Sequence, residues 1–204
     1  MSSKAERLPP EDVDQVVEVM GDAFLTYPVM RFVVGDEGDI DARVRRLVEL
    51  FVRRRIMRGG PAFGVPDPDA TGRTIGAAIL TLPVEQEPPA AVWALAEGAW
   101  RELGEPARAR YDTYASASNL FAALPPHHHL NMIGVRPAFA GMGFARPLLD
   151  AVRGLAQADP ASAGVSLTTE LPRNVSLYQH CGYEIVAHAQ VAPGLETWGM
   201  FLAL

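Results

Sequence analysis

The sequence predicts an α/β domain, and three observations carry that prediction. First, two N-terminal segments repeat apolar residues at helical spacing: Val13, Val16, Val17, Met20 and Phe24, then Val44, Leu47, Val48, Phe51 and Val52. Second, short apolar or alternating runs read as strands at Ala62 to Val65, Thr74 to Leu82, Met132 to Val135 and Gly164 to Thr169, with another from Tyr183. Third, a glycine-rich turn follows Val135 and leads into a segment with Leu148, Leu149, Val152, Leu155 and Ala156 on one helical face. Strand, turn and helix in that order form an α/β unit.

Taken along the chain, the first helix runs from Pro9 to about Phe24 and is broken over Asp22 to Pro28. The second spans Asp39 to Arg58 with an Arg-rich outer face, and Gly59-Gly60-Pro61 stops it. The strands Ala62 to Val65 and Thr74 to Leu82 pair through the turn from Asp67 to Arg73. Pro83 to His127 reads as helical, with Trp93, Leu95, Trp100 and Leu103, then Ala107 to Leu124. Glu85 to Ala91 is proline-rich and loop-like. Pro147 falls in the first turn of its helix, where a missing N–H had no intrahelical partner. Pro172 and Asn174 announce a turn into a short helix, and Gly182 suits the position just past its end.

Composition bounds the function. The 204 residues fit one domain, 1–204, with a sizeable core. Hydrophobic content of 49% and charged content of 21% are globular values. No stretch approaches the roughly 20 apolar residues of a membrane span, and the start at Met1-Ser2-Ser3-Lys4-Ala5-Glu6 has no apolar signal core, so a cytoplasmic location is expected. One cysteine, Cys181, leaves no internal disulfide and no Cys-rich metal site. The net charge of −6 argues against non-specific nucleic-acid binding and leans toward a cationic acceptor such as an amine.

The turn itself reads Ala140-Gly141-Met142-Gly143-Phe144-Ala145. Glycines let backbone approach an anion closely, and the following helix start offers unpaired N–H groups. A lone Gly-x-Gly is more often only a turn. The segment lacks the spacing of a dinucleotide fingerprint and the Gly-Lys-Ser/Thr ending of a triphosphate loop. A pantetheine or CoA pyrophosphate is the better ligand.

Two blocks together are far more specific. Val135-x-Pro137 followed by Gly141-x-Gly143-x-Ala145, and Asn174-x-x-x-Tyr178-x-x-x-Gly182-Tyr183, resemble the acetyl-CoA loop and the asparagine–tyrosine block of the GNAT acetyltransferase superfamily. Within it, residues 127–204 are similar to puromycin N-acetyltransferase and its relatives, through His127-x-x-Leu130-x-x-Ile133-Gly134-Val135, Pro172-Arg173-Asn174 and Glu196-Thr197-Trp198-Gly199-Met200. The resemblance implies a mixed, mostly antiparallel twisted sheet flanked by helices, with a helical insertion at about 84–126 between the third and fourth strands. It implies acetyl-CoA as co-substrate and direct N-acetylation of an amine, with a small molecule as partner. Neither nucleic acid, membrane nor metal is expected. Oligomeric state stays open, a homodimer being one option.

Residue roles carry over by match. Ile133, Gly134 and Val135 would offer backbone groups to pantetheine and the thioester. Ala140, Gly141, Met142, Gly143, Phe144 and Ala145 would cradle the pyrophosphate. Asn174 would bind the pantetheine arm, and Tyr178 would protonate the departing thiolate. His127 is the expected general base, with Glu170 and a water chain as rivals and Asn131 able to orient a water. Phe24, Tyr27 and Trp93 are the expected acceptor contacts, and Trp100, Tyr111, Tyr114 and Phe121 could join them.

Each residue also has a plain structural reading. Tyr178 could be a packed aromatic, and Asn174 only a helix N-cap. The His127-His128-His129 run could be a solvated strand entry. Alternation would put His127 and His129 on one face and His128 on the other. The insertion's aromatics could simply pack it onto the sheet. Cys181, at a helix C-terminus that disfavours thiolate, is a poor nucleophile. Two departures stand out: Ala140 replaces the family's Gln or Arg, and Thr168 replaces a Glu of the puromycin-type relatives. They keep alive a silent acyl-CoA-binding or sensing module beside the small-molecule and protein N-acetyltransferase readings.

Overall fold

The computed structural model describes residues 4–70, 72–84, 87–119 and 124–204. Among these residues seven strands form one sheet: β1 (Glu6–Leu8), β2 (Ala62–Pro66), β3 (Thr74–Thr81), β4 (His128–Val135), β5 (Gly164–Thr169), β6 (Glu184–Ala192) and β7 (Leu195–Ala203). Their order is β1-β2-β3-β4-β5-β7-β6, and every neighbouring pair is antiparallel except β4 and β5. A parallel pair needs a long crossover, here α6 (Ala145–Ala158). The expected mixed, mostly antiparallel sheet is the observed one.

Helices cover both faces. On one lie α1 (Val13–Phe24), α2 (Pro28–Val34), α3 (Ile40–Met57), α4 (Ala90–Leu103) and α5 (Glu105–Ser118). On the other lie α6 and α7 (Pro172–His180). Two cores result: Val16, Met20, Val44, Leu47, Ile79 and Met132 belong to the first, Ile75, Leu80, Leu130, Leu148, Leu167 and Met200 to the second. β3 contributes to both, so it reads as a nearly unbroken apolar run rather than an alternation.

The differences from expectation are local. Pro10–Asp12 form a 3-10 turn, so α1 proper starts at Val13. Pro28 does not end helical structure but opens α2 as its first residue, where its fixed φ is an advantage. β1 is three residues long, too short for a periodic signal. The insertion between β3 and β4 is the helix pair α4–α5; α5 ends at Ser118, and residues 120–123 of the expected Ala107 to Leu124 helix lie outside the described residues.

Candidate active site

The parallel strands β4 and β5 are paired only over His128–Leu130 and Val165–Leu167. Beyond that they part. The cause is visible on the other side of β4: Ile79 faces Met132 and Leu80 faces Leu130, so Asn131 is an extra residue in the ladder. Such a bulge bends its strand. The Thr81 hydroxyl donates to Asn131 Oδ1 (2.9 Å) and holds it there. From Asn131 to Val135 the edge of β4 that faces β5 has no strand partner among the described residues, so its backbone groups are open to a ligand. Gly134 serves the opposite side of the strand. A Cβ there would stand 2.6 Å from that of Ala23, so only glycine lets the end of α1 seat against β4.

A narrow cavity of about 60 Å³ lies at the point of divergence. Phe24, Tyr27, Ile133, Glu170, Asn174 and Tyr178 all line it. The end of α7 shows how Tyr178 is placed. Gly182 has φ +91°, the Tyr183 N–H donates to the Tyr178 carbonyl (3.0 Å), and the Gly182 N–H donates to the Gln179 carbonyl (3.0 Å). This is a Schellman cap, and its characteristic apolar contact is the Tyr178–Tyr183 ring pair, 5.7 Å between centroids. The Tyr-x-x-x-Gly-Tyr spacing is thus a device that fixes one phenol. Tyr178 is 6% exposed, and burial, with Cys181 and Glu170 nearby, pushes its pKa up. At neutral pH it is a proton donor.

Glu170 follows β5 and is buried at 6% exposure. Its Oε1 accepts from the Thr197 hydroxyl (2.8 Å) and from the Tyr114 hydroxyl (3.2 Å). Its backbone N–H donates to the Tyr27 hydroxyl (3.2 Å), which also meets Thr169 Oγ1 at 3.2 Å. Burial raises the carboxyl's pKa above its ordinary value, and the hydroxyl hydrogen bonds oppose it. Thr168, where a Glu was expected by resemblance, lines the cavity too; Glu170 stands two residues further along the strand direction. Asn174 is the third residue of α7, not its N-cap, which is Leu171. Its Nδ2 donates to Thr169 Oγ1 (3.3 Å) and ties α7 to the end of β5.

The glycine turn lies between β4 and α6. Gly141 (φ +78°) and Gly143 (φ +86°) adopt backbone that other residues rarely enter, with nothing within 4 Å of an added Cβ. Among the described residues, no backbone carbonyl accepts from the N–H of Gly141, Gly143 or Phe144. Ala140 and Met142 are exposed beside them. Open N–H groups, positive φ and a helix start are the features that an anion cradle requires.

A second cavity of about 640 Å³ adjoins the first, and Val29, Met30, Tyr114, Asn131, Met132 and Thr168 line both. It lies beneath the insertion and α3. His127 and His129 line it, whereas His128 is fully buried on the opposite face, with Nδ1 2.9 Å from Ser162 Oγ. His127 Nδ1 is 2.7 Å from the Pro125 carbonyl, which can only accept, so Nδ1 carries a proton. Tyr111 and Tyr114 line the cavity, while Trp100 packs within the insertion, 5.1 Å from Tyr111. Trp93 does not reach either cavity: it is 54% exposed on the outer face of α4, because that face of the helix points away from the sheet. Phe121 lies outside the described residues. The Arg-rich face of α3 is not all outward: Arg54 and Arg55 line the large cavity, and Arg43 donates to the Val34 and Leu103 carbonyls. Periodicity alone missed this, since long stems let arginines on a flank reach inward.

The model of the acetyltransferase (GNAT) family matches residues 99–183, from the insertion through Tyr178 to Tyr183. The structure of histone acetyltransferase HPA2 and related acetyltransferase from Corynebacterium glutamicum is similar over 100% of this chain and 98% of that one, at TM-score 0.70 and 19% identity. An agmatine N-acetyltransferase is similar over 100% of both chains, at TM-score 0.62 and 14% identity. The NatC complex bound to Gag peptide and CoA covers 100% of this chain and 99% of that one, at TM-score 0.55 and 13% identity. At these identities the structural likeness establishes the fold alone. By that likeness the chain has the fold of the GNAT acetyltransferases, and its residues 99–183 match the model of a family whose members take their acetyl group from acetyl-CoA.

Proposed function

We propose that the protein transfers acetyl directly from acetyl-CoA to the amine of a small molecule. The observation that carries this is the parting of β4 and β5 at the Asn131 bulge, with Glu170, Asn174 and Tyr178 around the gap and unpaired loop N–H groups at its far end. The residues fit the co-substrate. Gly141, Gly143, Phe144 and Ala145 would hold the pyrophosphate, Ile133, Gly134 and Val135 would pair with the pantetheine amides, and Asn174 would hold its arm. Acetyl-CoA supplies a thioester carbonyl with a thiol leaving group.

Tyr178 gives its phenolic proton as the C–S bond breaks, and burial keeps it protonated until then. Glu170 takes the proton that the amine loses as the C–N bond forms. It stands in the same narrow cavity as Tyr178, and its raised pKa makes it a stronger base than an ordinary carboxylate. His127 is a second reading for the base, favoured by its place in the lining of the adjoining cavity. Phe24 and Tyr27 bound the reacting end. A small acceptor suits an inward cavity of about 640 Å³ better than a flat surface does. The likeness of residues 127–204 to puromycin-type enzymes makes aminonucleosides part of the test panel.

Calorimetric titration with acetyl-CoA, followed by thiol release with an amine panel, tests the proposal. Micromolar binding and thiol release with at least one amine are expected. Absence of acetyl-CoA binding would sink it.

A further inference from the structure

The reading above leaves the acceptor's chemistry open, and the large cavity narrows it. We infer that the acceptor carries an anionic oxygen group, carboxylate or phosphate, at the end remote from its reactive amine, and that Arg54 binds it. This rests on the proposed acetyl transfer and adds the substrate class.

The large cavity is lined by Arg54, Arg55, His127 and His129, and by no Asp or Glu among the described residues. The chain's net charge is −6, so a lining around Arg54 with no acid among the described residues runs against the whole. Most other arginines of α3 have acidic partners: Arg45 pairs with Asp22, Arg46 with Glu49 and Glu102, Arg53 with Glu49 and Asp14. Arg54 is half-buried and makes neither ion pair nor hydrogen bond with any described residue. A guanidinium withdrawn from water and left without a counter-charge is unfavourable, and a fork of N–H donors matches a carboxylate or phosphate.

The other end of the joined cavities has the opposite sign. Glu170, buried beside Tyr178, is where an ammonium would arrive and give up its proton. The lining also offers apolar and aromatic contacts, Phe51, Tyr111 and Met132, beside polar Thr81 and Asn131. A carboxylate at one end, a guanidinium at the other and rings in the lining describe an amine with an apolar body and an anionic tail. A second cation at that tail, as in a diamine, would face Arg54 directly.

Matched pairs of acceptors test this: 4-(aminomethyl)benzoate against benzylamine, and 4-(aminomethyl)phenyl phosphate against 4-(aminomethyl)phenol. Thiol release is measured with wild type, Arg54→Gln and Arg54→Lys. The anionic member of at least one pair is expected to have a kcat/KM about ten- to a hundredfold higher, as a charge-assisted contact supplies. The benzoate and phosphate arms tell which anion fits. Arg54→Gln should erase that preference through KM and leave the neutral amines unchanged, and Arg54→Lys should restore part of it. Equal turnover within each pair overturns the inference and leaves acetyl transfer standing. So does a preference that survives Arg54→Gln. Transfer to no amine, without binding of acetyl-CoA, overturns the proposed function and the inference with it.

Discussion

The two halves of the candidate site are built in different ways. The side assigned to acetyl-CoA comes from short stretches of chain: β4 into the glycine turn, and β5 into α7. It works largely through backbone, with open N–H groups at Gly141, Gly143 and Phe144 and an unpaired strand edge after Asn131. The acceptor side is assembled from α2, α3, α5, β3, β4 and β5, with lining residues as far apart as Val29 and Thr168, and it works through side chains. Backbone geometry tolerates changes of side chain, so the first half can stay constant while the second varies. Fixed donor chemistry and adjustable acceptor chemistry then occupy one sheet.

The sharpest way to break this division is to remove the group at their junction. Glu170→Gln keeps the shape and most of the hydrogen bonding but cannot accept the amine's proton. kcat should fall by about 10³-fold, within the usual range for a general base, with acetyl-CoA affinity unchanged. His127→Gln should act on KM for the acceptor instead; a larger kcat loss there than at Glu170 would move the base to the histidine. Stability provides an independent reading. Burial raises the folded-state pKa of Glu170, so its favourable contribution is present below the ordinary carboxyl value of 4.5 and is lost as pH rises through the raised one. Glu170→Gln should therefore melt higher relative to wild type at pH 8 than at pH 4.

Tyr178→Phe comes next. A thiol has a pKa near 8.5, so its thiolate leaves without much help, and the loss in kcat should be about 10²-fold, at the lower end for an acid catalyst. The acetyl-CoA dissociation constant should stay within about twofold. The Schellman cap and the Tyr183 ring contact survive the substitution, so an unchanged rate would leave Tyr178 with only a packing role.

Gly143→Ala probes the backbone half alone. At φ +86° an added Cβ meets no neighbour within 4 Å, so the only penalty is conformational, about 1–2 kcal/mol. If the loop must keep that conformation to cradle a phosphate, acetyl-CoA should bind about tenfold more weakly, with acceptor KM unaltered. A weaker acceptor KM with unchanged acetyl-CoA affinity would blur the division.

The same contrast explains what could be read from sequence. The order of elements was legible, as were the ends of α3, the strand before the glycine turn and the Gly182 cap, because each depends on residues within a few positions. Tyr178 and the loop glycines stood out for that reason. Glu170 could be suspected but not placed: what makes it unusual is burial between Tyr114 and Thr197, 56 and 27 residues away. Arg54 looked like part of a solvated helix face. The Asn131 bulge, which opens the sheet, is a mismatch between two strands and leaves no mark in either alone. Trp93 faces outward, a direction that aromatic content alone does not give.

The smallest expected effect concerns the histidine on the other side of β4 from the cavity. His128 is 0% exposed. The Ser162 hydroxyl donates to the Gly164 carbonyl (2.9 Å), so it accepts from His128 Nδ1–H. Nε2 is left buried without a hydrogen bond, 3.6 Å from Asp159 Oδ2. Protonation would gain that carboxylate as a partner, but burial outweighs it and lowers the pKa below the ordinary 6.5. The unfolded chain therefore takes the proton first. His128 supports the fold fully above about pH 6.5, and that support is lost as pH falls through the lower folded-state value, with a slope of at most about 1.4 kcal/mol per pH unit for one proton. Denaturant titrations of wild type and His128→Asn between pH 7.5 and 5 measure the difference. The variant should be less stable at pH 7.5 and should lose less on acidification; parallel curves would assign the acid sensitivity to other groups and leave His128 as packing alone.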